Sequence, residues 1–144
     1  MLLQGAWKLC DDGVVRPVFR GEMQSASGEW IQVPFLADCG ADRTVLSANV
    51  LQVLGLQPIQ QDLLLAGVGG QAASVILDTR IYLKRENGTR VVFRGQIASF
   101  TDPAALDMSV LGRDITNLFA LIIDRPQDQV CMLGKGHRYI VAAE

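Results

Sequence analysis

One carboxylate in this chain stands where it could do chemistry. The segment Phe35-Leu36-Ala37-Asp38-Cys39-Gly40-Ala41-Asp42-Arg43-Thr44-Val45-Leu46-Ser47 carries an apolar run into Asp38, places a glycine two residues later, and resumes with a second apolar run. A strand leaving the core would deliver Asp38 to a turn. Gly40 would remove the side chain that blocks close approach of a ligand or another backbone. A carboxylate held in this way can act as a general acid or base. Asp-x-Gly alone also describes an ordinary polar turn after a strand, so the motif needs support from elsewhere in the chain.

Other chemistries find less support. His137 is the single histidine and lies in Gly134-Lys135-Gly136-His137-Arg138. It reads as a solvated turn residue, and a Ser-His-Asp or Cys-His mechanism would have to use it. The Gly-Lys-Gly run lacks the spacing of a phosphate-binding loop. Cys10, Cys39 and Cys131 are odd in number and widely spaced. They form neither a disulfide framework nor a zinc pattern, so no metal and no cofactor is expected. The cysteine usage reads as a reducing, cytoplasmic compartment.

The elements that must position Asp38 are mostly strands. Glycines punctuate short segments rich in Val, Ile, Leu and Phe, the pattern of many short strands. Strands are expected over residues 14–20, 30–37, 63–66, 73–84, 89–99, 121–123, 129–133 and 138–141. Ser27-Gly28 and Asn87-Gly88 read as hairpin turns. Ser47 is the expected N-cap of a helix over residues 48–54, with Gly55 at its C-terminal stop and Pro58 just beyond. Asp114 is the expected cap of a second short helix over residues 115–119. The chain of 144 residues, 49% hydrophobic and 19% charged, reads as a single folded domain over residues 1–144. Thirteen basic against fifteen acidic residues argue against nucleic acid as the main partner. The longest apolar runs, such as residues 118–123, are far shorter than a membrane span, and residues 1–13 do not read as a secretory signal. The fold class is therefore mainly β, a closed or sandwich-like domain with one or two short helices.

Two further segments add to Asp38. Leu65-Ala66-Gly67-Val68-Gly69-Gly70 is a glycine-rich tip between two apolar runs, and Val110-Leu111-Gly112-Arg113-Asp114 opens the second helix. Together with Asp38-Cys39-Gly40-Ala41-Asp42 and Thr44-Val45, this ordered set resembles the retroviral-type, retropepsin-like aspartic proteases from about Val33 to Phe119. The helix ending Leu54-Gly55-Leu56 looks more like the cellular and bacterial members of that family than the viral ones.

The resemblance implies a single-lobe acid-protease-like closed β-barrel completed by homodimerisation, with Asp38 of each chain meeting at the two-fold axis. It implies a homodimeric aspartic endopeptidase that hydrolyses peptide bonds through water activated by the Asp pair. Asp38 aligns with the catalytic residue, while Cys39, Gly40 and Ala41 form the active-site loop. Gly40, Asp42, Gly67, Val68, Gly69 and Gly70 match positions that bind substrate, an extended peptide or protein segment. Asp42 would also pair with Arg113 and brace the loop. The other Asp-Thr, at Asp78-Thr79, is followed by Arg80, and no catalytic role falls to it. Strands over 129–133 or 138–141 are the candidates for a dimer sheet. Cys39 departs from the pattern, because the family has Thr or Ser there. A thiol is a weaker donor than the hydroxyl that would stiffen the paired loops, and its oxidation would obstruct the adjacent Asp38 pair. This leaves a second function open, a catalytically impaired peptide-binding and dimerisation module. A third reading is a β-barrel with no ligand.

Overall fold

In the computed structural model, residues 1–67, 69–136 and 140 are described. Val68, His137 and, apart from Ile140, the strand expected over 138–141 lie outside them. The strands are β1 (Leu2–Gln4), β2 (Ala6–Leu9), β3 (Val15–Gln24), β4 (Trp30–Ala37), β5 (Val45–Leu46), β6 (Gln60–Gly67), β7 (Gly70–Lys84), β8 (Arg90–Phe100), β9 (Ser109–Leu111), β10 (Ala120–Asp124) and β11 (Gln129–Leu133). The helices are α1 (Ala48–Leu54) and α2 (Arg113–Thr116).

Period-two alternation builds the core. Phe19 and Met23 on β3, Val33 and Phe35 on β4, and Leu77, Ile81 and Leu83 on β7 all turn inward and are buried. Gly21 makes room for this packing, since a Cβ there would stand 2.7 Å from the Phe35 ring. The strands run β3-β4-β9-β5-β8-β7, and β7 returns to β3 through Gly21↔Leu83 and Glu22↔Tyr82. This ring is the closed barrel expected from the sequence. β2 and β6 extend the same sheet outside the ring, and β1-β11-β10 form a second, smaller sheet.

The two hairpin glycines hold positive φ, 86° at Gly28 and 82° at Gly88, which a side chain would disfavour. Helix α1 occupies the expected residues. Gly55 ends it in the left-handed conformation, and its N–H donates to the Leu51 carbonyl at 3.2 Å. Ser47 sits at the N-cap, but its side chain makes no capping bond; its N–H donates to Ser109 Oγ at 3.0 Å. The second helix departs from expectation. It spans Arg113–Thr116 with Gly112 at the N-cap, because the Asp114 carboxylate is drawn away to Thr44. The β11 strand departs too. It lies between β1 and β10 with both edges paired, so it has no free edge to join a partner's sheet.

On the outer face, Glu22 is buried beneath longer side chains. It accepts from Gln32 Nε2 at 2.9 Å and pairs with Lys84 at 3.1 Å and Arg90 at 3.4 Å. The Gln32 hydrogen bond, followed by the Lys84 ammonium, holds its carboxyl below the usual range. A depressed carboxyl stabilises the fold above its unfolded value of about 4.3, and that stability is lost as pH falls through the lowered value. Glu22→Gln is expected to cost about 1–2 kcal/mol at pH 7, since Lys84 and Arg90 can rehydrate. The difference should shrink toward pH 3 in urea denaturation.

Candidate active site

The Asp38 loop takes its shape from an interrupted pairing. β4 and β5 are consecutive in sequence but not neighbours in the sheet, because β9 lies between them. β9 pairs in parallel with β4 through Leu36↔Val110 and Ala37↔Leu111, and antiparallel with β5 through Val45↔Val110. The chain between β4 and β5 must therefore cross the end of β9. Asp38 begins that crossing, its N–H donating to the Leu111 carbonyl at 3.1 Å. The Gly40 N–H donates to Asp38 Oδ1 at 3.0 Å and the Ala41 N–H to the Asp38 carbonyl at 3.3 Å, which closes a tight turn. A Cβ at Gly40 would stand 3.2 Å from Asp38 Oδ1. Asp38 is half-buried, while Cys39 and Gly40 are exposed at the turn, and the Cys39 thiol is free.

The other end of the loop is locked onto the start of α2. Thr44, fully buried, donates from Oγ1 to Asp114 Oδ1 at 2.7 Å and accepts the Gly112 N–H at 3.0 Å. The Thr44 N–H also reaches the Asp114 carboxylate, at 2.9 and 3.0 Å from its two oxygens. The Arg113 N–H donates to the Ala41 carbonyl at 2.8 Å and the Asp114 N–H to the Asp42 carbonyl at 3.2 Å. The Arg113 guanidinium then meets the Asp42 carboxylate as an ion pair. Both side chains of that pair are exposed, so it adds little by itself and the backbone bonds carry the brace. Thr44 and Asp114 are the positioning residues that sequence reasoning missed. The signal was a buried hydroxyl and a carboxylate seventy residues apart, which spacing alone does not connect.

Asp38, Cys39, Gly40, Ala41, Asp42 and Arg113 thus fall together. The glycine-rich tip stands apart. Gly67 pairs with Gly70 at the end of the β6–β7 hairpin, and Gly70 has φ 110°. A Cβ at Gly67, Gly69 or Gly70 would meet nothing within 4 Å, so these glycines stand in open space.

Pro34 and Leu36 share the Asp38 face of β4 by strand alternation. They line a groove of about 690 Å³ with Leu106 and Met108, and Lys8 and Asp12 also border it. Arg16 beside Asp12 holds that carboxyl down to about 2, so this border stays charged at any ordinary pH. Among the described residues no three His, Cys, Asp or Glu side chains gather to hold a metal ion, and no helix is long and apolar enough to cross a membrane.

The electrostatics leave Asp38 without a carboxylate partner in its own loop. Asp42 is taken by Arg113 and Asp114 by Thr44. A half-buried carboxylate at a braced turn can polarise water.

No family model and no curated protein matches the sequence. Solved structures do match the fold. A retropepsin-like aspartic protease from Rickettsia conorii superposes with a TM-score of 0.54 at 18% identity, over 92% of this chain and 88% of that one. The EIAV protease, in complex with an inhibitor, superposes with a TM-score of 0.50 at 23% identity, over 71% of this chain and 86% of that one. The fold of this chain is that of the retropepsin-like aspartic proteases.

Proposed function

We propose that this protein is an aspartic endopeptidase whose active site forms when two copies bring their Asp38 loops together. The observation that carries the reading is the Asp38 turn itself, a single carboxylate braced by Thr44, Gly112 and Asp114 with every neighbouring carboxylate otherwise engaged. Two carboxyls a few ångströms apart cannot both ionise, so the pair holds one proton between them. The ionised Asp38 takes a proton from water as the oxygen attacks the scissile carbonyl carbon. The protonated Asp38 gives its proton to the carbonyl oxygen. The tetrahedral intermediate collapses as the first Asp38 passes the water proton to the leaving nitrogen, the C–N bond breaks, and one hydroxyl returns its proton to the second Asp38, leaving a carboxylic acid, an amine and the singly protonated pair. No metal, cofactor or covalent adduct enters. The substrate lies extended across the loop, its main chain bound by Gly40 and Asp42, with the tip of Gly67, Val68, Gly69 and Gly70 closing over it as a flap. The protein works on unfolded or extended peptide segments and has no nucleic-acid or membrane partner.

The fold likeness to retropepsin-like proteases supports this reading. Cys39 favours one alternative, a dimer that binds peptides across the same loops but turns them over poorly. Cleavage of an unfolded protein between about pH 3 and 7 separates the two, with Asp38→Ala as the control. Cleavage by the wild type alone supports the protease. Peptide binding without cleavage by a folded dimer supports the binding module. Equal cleavage by both proteins sinks the assignment of Asp38.

Cys39→Thr tests the departure from the family pattern. A hydroxyl on each chain restores two good hydrogen bonds across the axis, worth about 1 kcal/mol net. The dimer dissociation constant is expected to fall about five- to tenfold in sedimentation equilibrium. An unchanged constant would place Cys39 away from the axis.

A further inference from the structure

The outer face of β7 and β8 carries charges that folding alone does not explain. Side chains at alternate positions point outward there, in the register Lys84↔Arg90, Tyr82↔Val92 and Arg80↔Arg94. Two rows of like charge thus lie directly opposite each other, an arrangement that destabilises a sheet. Glu22 compensates the first row, through Lys84 at 3.1 Å and Arg90 at 3.4 Å. The second has only Asp78 near it, two residues along β7 from Arg80 on the same face and opposite Gln96. Arg80 and Arg94 are exposed and make no ion pair among the described residues. Between the rows Val92 is 47% exposed beside Tyr82. Tyr82 packs edge-on against Trp30 at 5.0 Å, and the Arg90 guanidinium lies 4.5 Å from the Trp30 ring. Arg90 therefore stands on a firm aromatic base. The whole chain has net charge −2, so this basic face is a local feature rather than a reflection of composition.

We infer that this face docks an acidic, extended segment of a partner protein. Four residues along a strand span about 13 Å, the separation of the two cationic rows. An extended peptide with acids at positions i and i+4 and an apolar residue at i+2 matches it, setting one acid on each row and the apolar side chain on Tyr82 and Val92. A nucleic acid fits less well, because the overall negative charge opposes a polyanion and the middle row offers carbon where a phosphate would need a cation. The Trp30 side of this surface lies toward the far end of the ring from the Asp38 loop, and the Arg80–Arg94 row lies nearer, with Arg94 four residues along β8 from Ala98, the partner of Val45. Trp30 begins the strand that Asp38 follows, eight residues or about 26 Å away.

The test is fluorescence anisotropy with a fluorescein-labelled, amidated Glu-Ser-Leu-Ser-Glu peptide. The wild type is expected to bind saturably at about 20 mM salt and more weakly at about 150 mM. Charge reversal in Arg80→Glu/Arg94→Glu is expected to weaken binding at least about tenfold. Arg80→Gln/Arg94→Gln serves if the reversal perturbs the circular dichroism spectrum. No binding by the wild type, or equal binding by the neutral double variant, overturns the inference. Tighter binding of a ten-nucleotide oligothymidylate than of the peptide also overturns it, and reassigns the face to single-stranded nucleic acid.

Discussion

In a covalently linked dimer, one Asp38→Asn half is expected to abolish peptide cleavage as completely as two. Proton inventory dictates this outcome. The proposed reaction needs one carboxylate to take a proton from water and one carboxylic acid to give a proton to the carbonyl oxygen. Asparagine can do neither. Asp42 and Asp114 cannot substitute, because Arg113 and Thr44 hold them in the loop brace. Joining two copies through a flexible glycine-serine linker keeps subunits from exchanging and fixes the stoichiometry. The singly substituted fusion should lose at least about three orders of magnitude in kcat, and the doubly substituted fusion no more than that, since the residues of one catalytic unit are not additive. The wild-type fusion should show a bell-shaped pH profile whose two limbs belong to the pair and not to either residue. A half-active single substitution would mean that each chain carries its own complete site, and the shared-dyad mechanism would fall.

How much of this was legible in the sequence depended on how local each determinant is. The bounds of β4, α1 and β11 match the residue patterns because each has a clear boundary signal. Ser27-Gly28 precedes β4, Gly55 stops α1, and the run over Gln129–Leu133 follows a turn at Asp128. The strands β1, β2 and β9 are three or four residues long, too short to show a period. All three residues of β9 are buried, so it shows no alternation at all. It was visible only as part of a motif. Asp114 has the residue type and position of a helix cap, and its diversion to Thr44 depends on the crossing of two distant segments. The free and paired edges of β11 are likewise a property of topology. Residue type located the chemistry at Asp38, whereas the brace that holds it is a tertiary contact with no sequence period.

Gly112→Ala should then be among the most damaging single-methyl changes this chain can suffer. Gly112 has an extended backbone, φ −86° and ψ −177°, which any residue can adopt. The cost is therefore steric and not conformational. A Cβ there would stand 2.3 Å from the Arg43 carbonyl carbon, 2.4 Å from its oxygen and 2.7 Å from the Thr44 nitrogen. These are backbone atoms and cannot rotate aside. Retreat of the Arg43–Thr44 backbone would break the bonds from Thr44 to Asp114 and from Gly112 to Thr44, leaving buried polar groups unpaired. Overpacking plus the lost bonds is expected to cost about 3–5 kcal/mol in urea denaturation. Gly95→Ala is the matched control. Gly95 lies in β8, would meet nothing within 4 Å, and should gain up to about 1 kcal/mol from reduced backbone freedom. Where Gly112→Ala remains folded, the Asp38 turn has moved, and cleavage should fall by at least about a hundredfold. Thr44→Val gives an independent reading of the same contact, since it keeps the shape and deletes the hydroxyl that joins Gly112 to Asp114. Native stability in Gly112→Ala would mean that the loop can cross β9 by another route, and that the brace at Thr44 does not hold Asp38 in place.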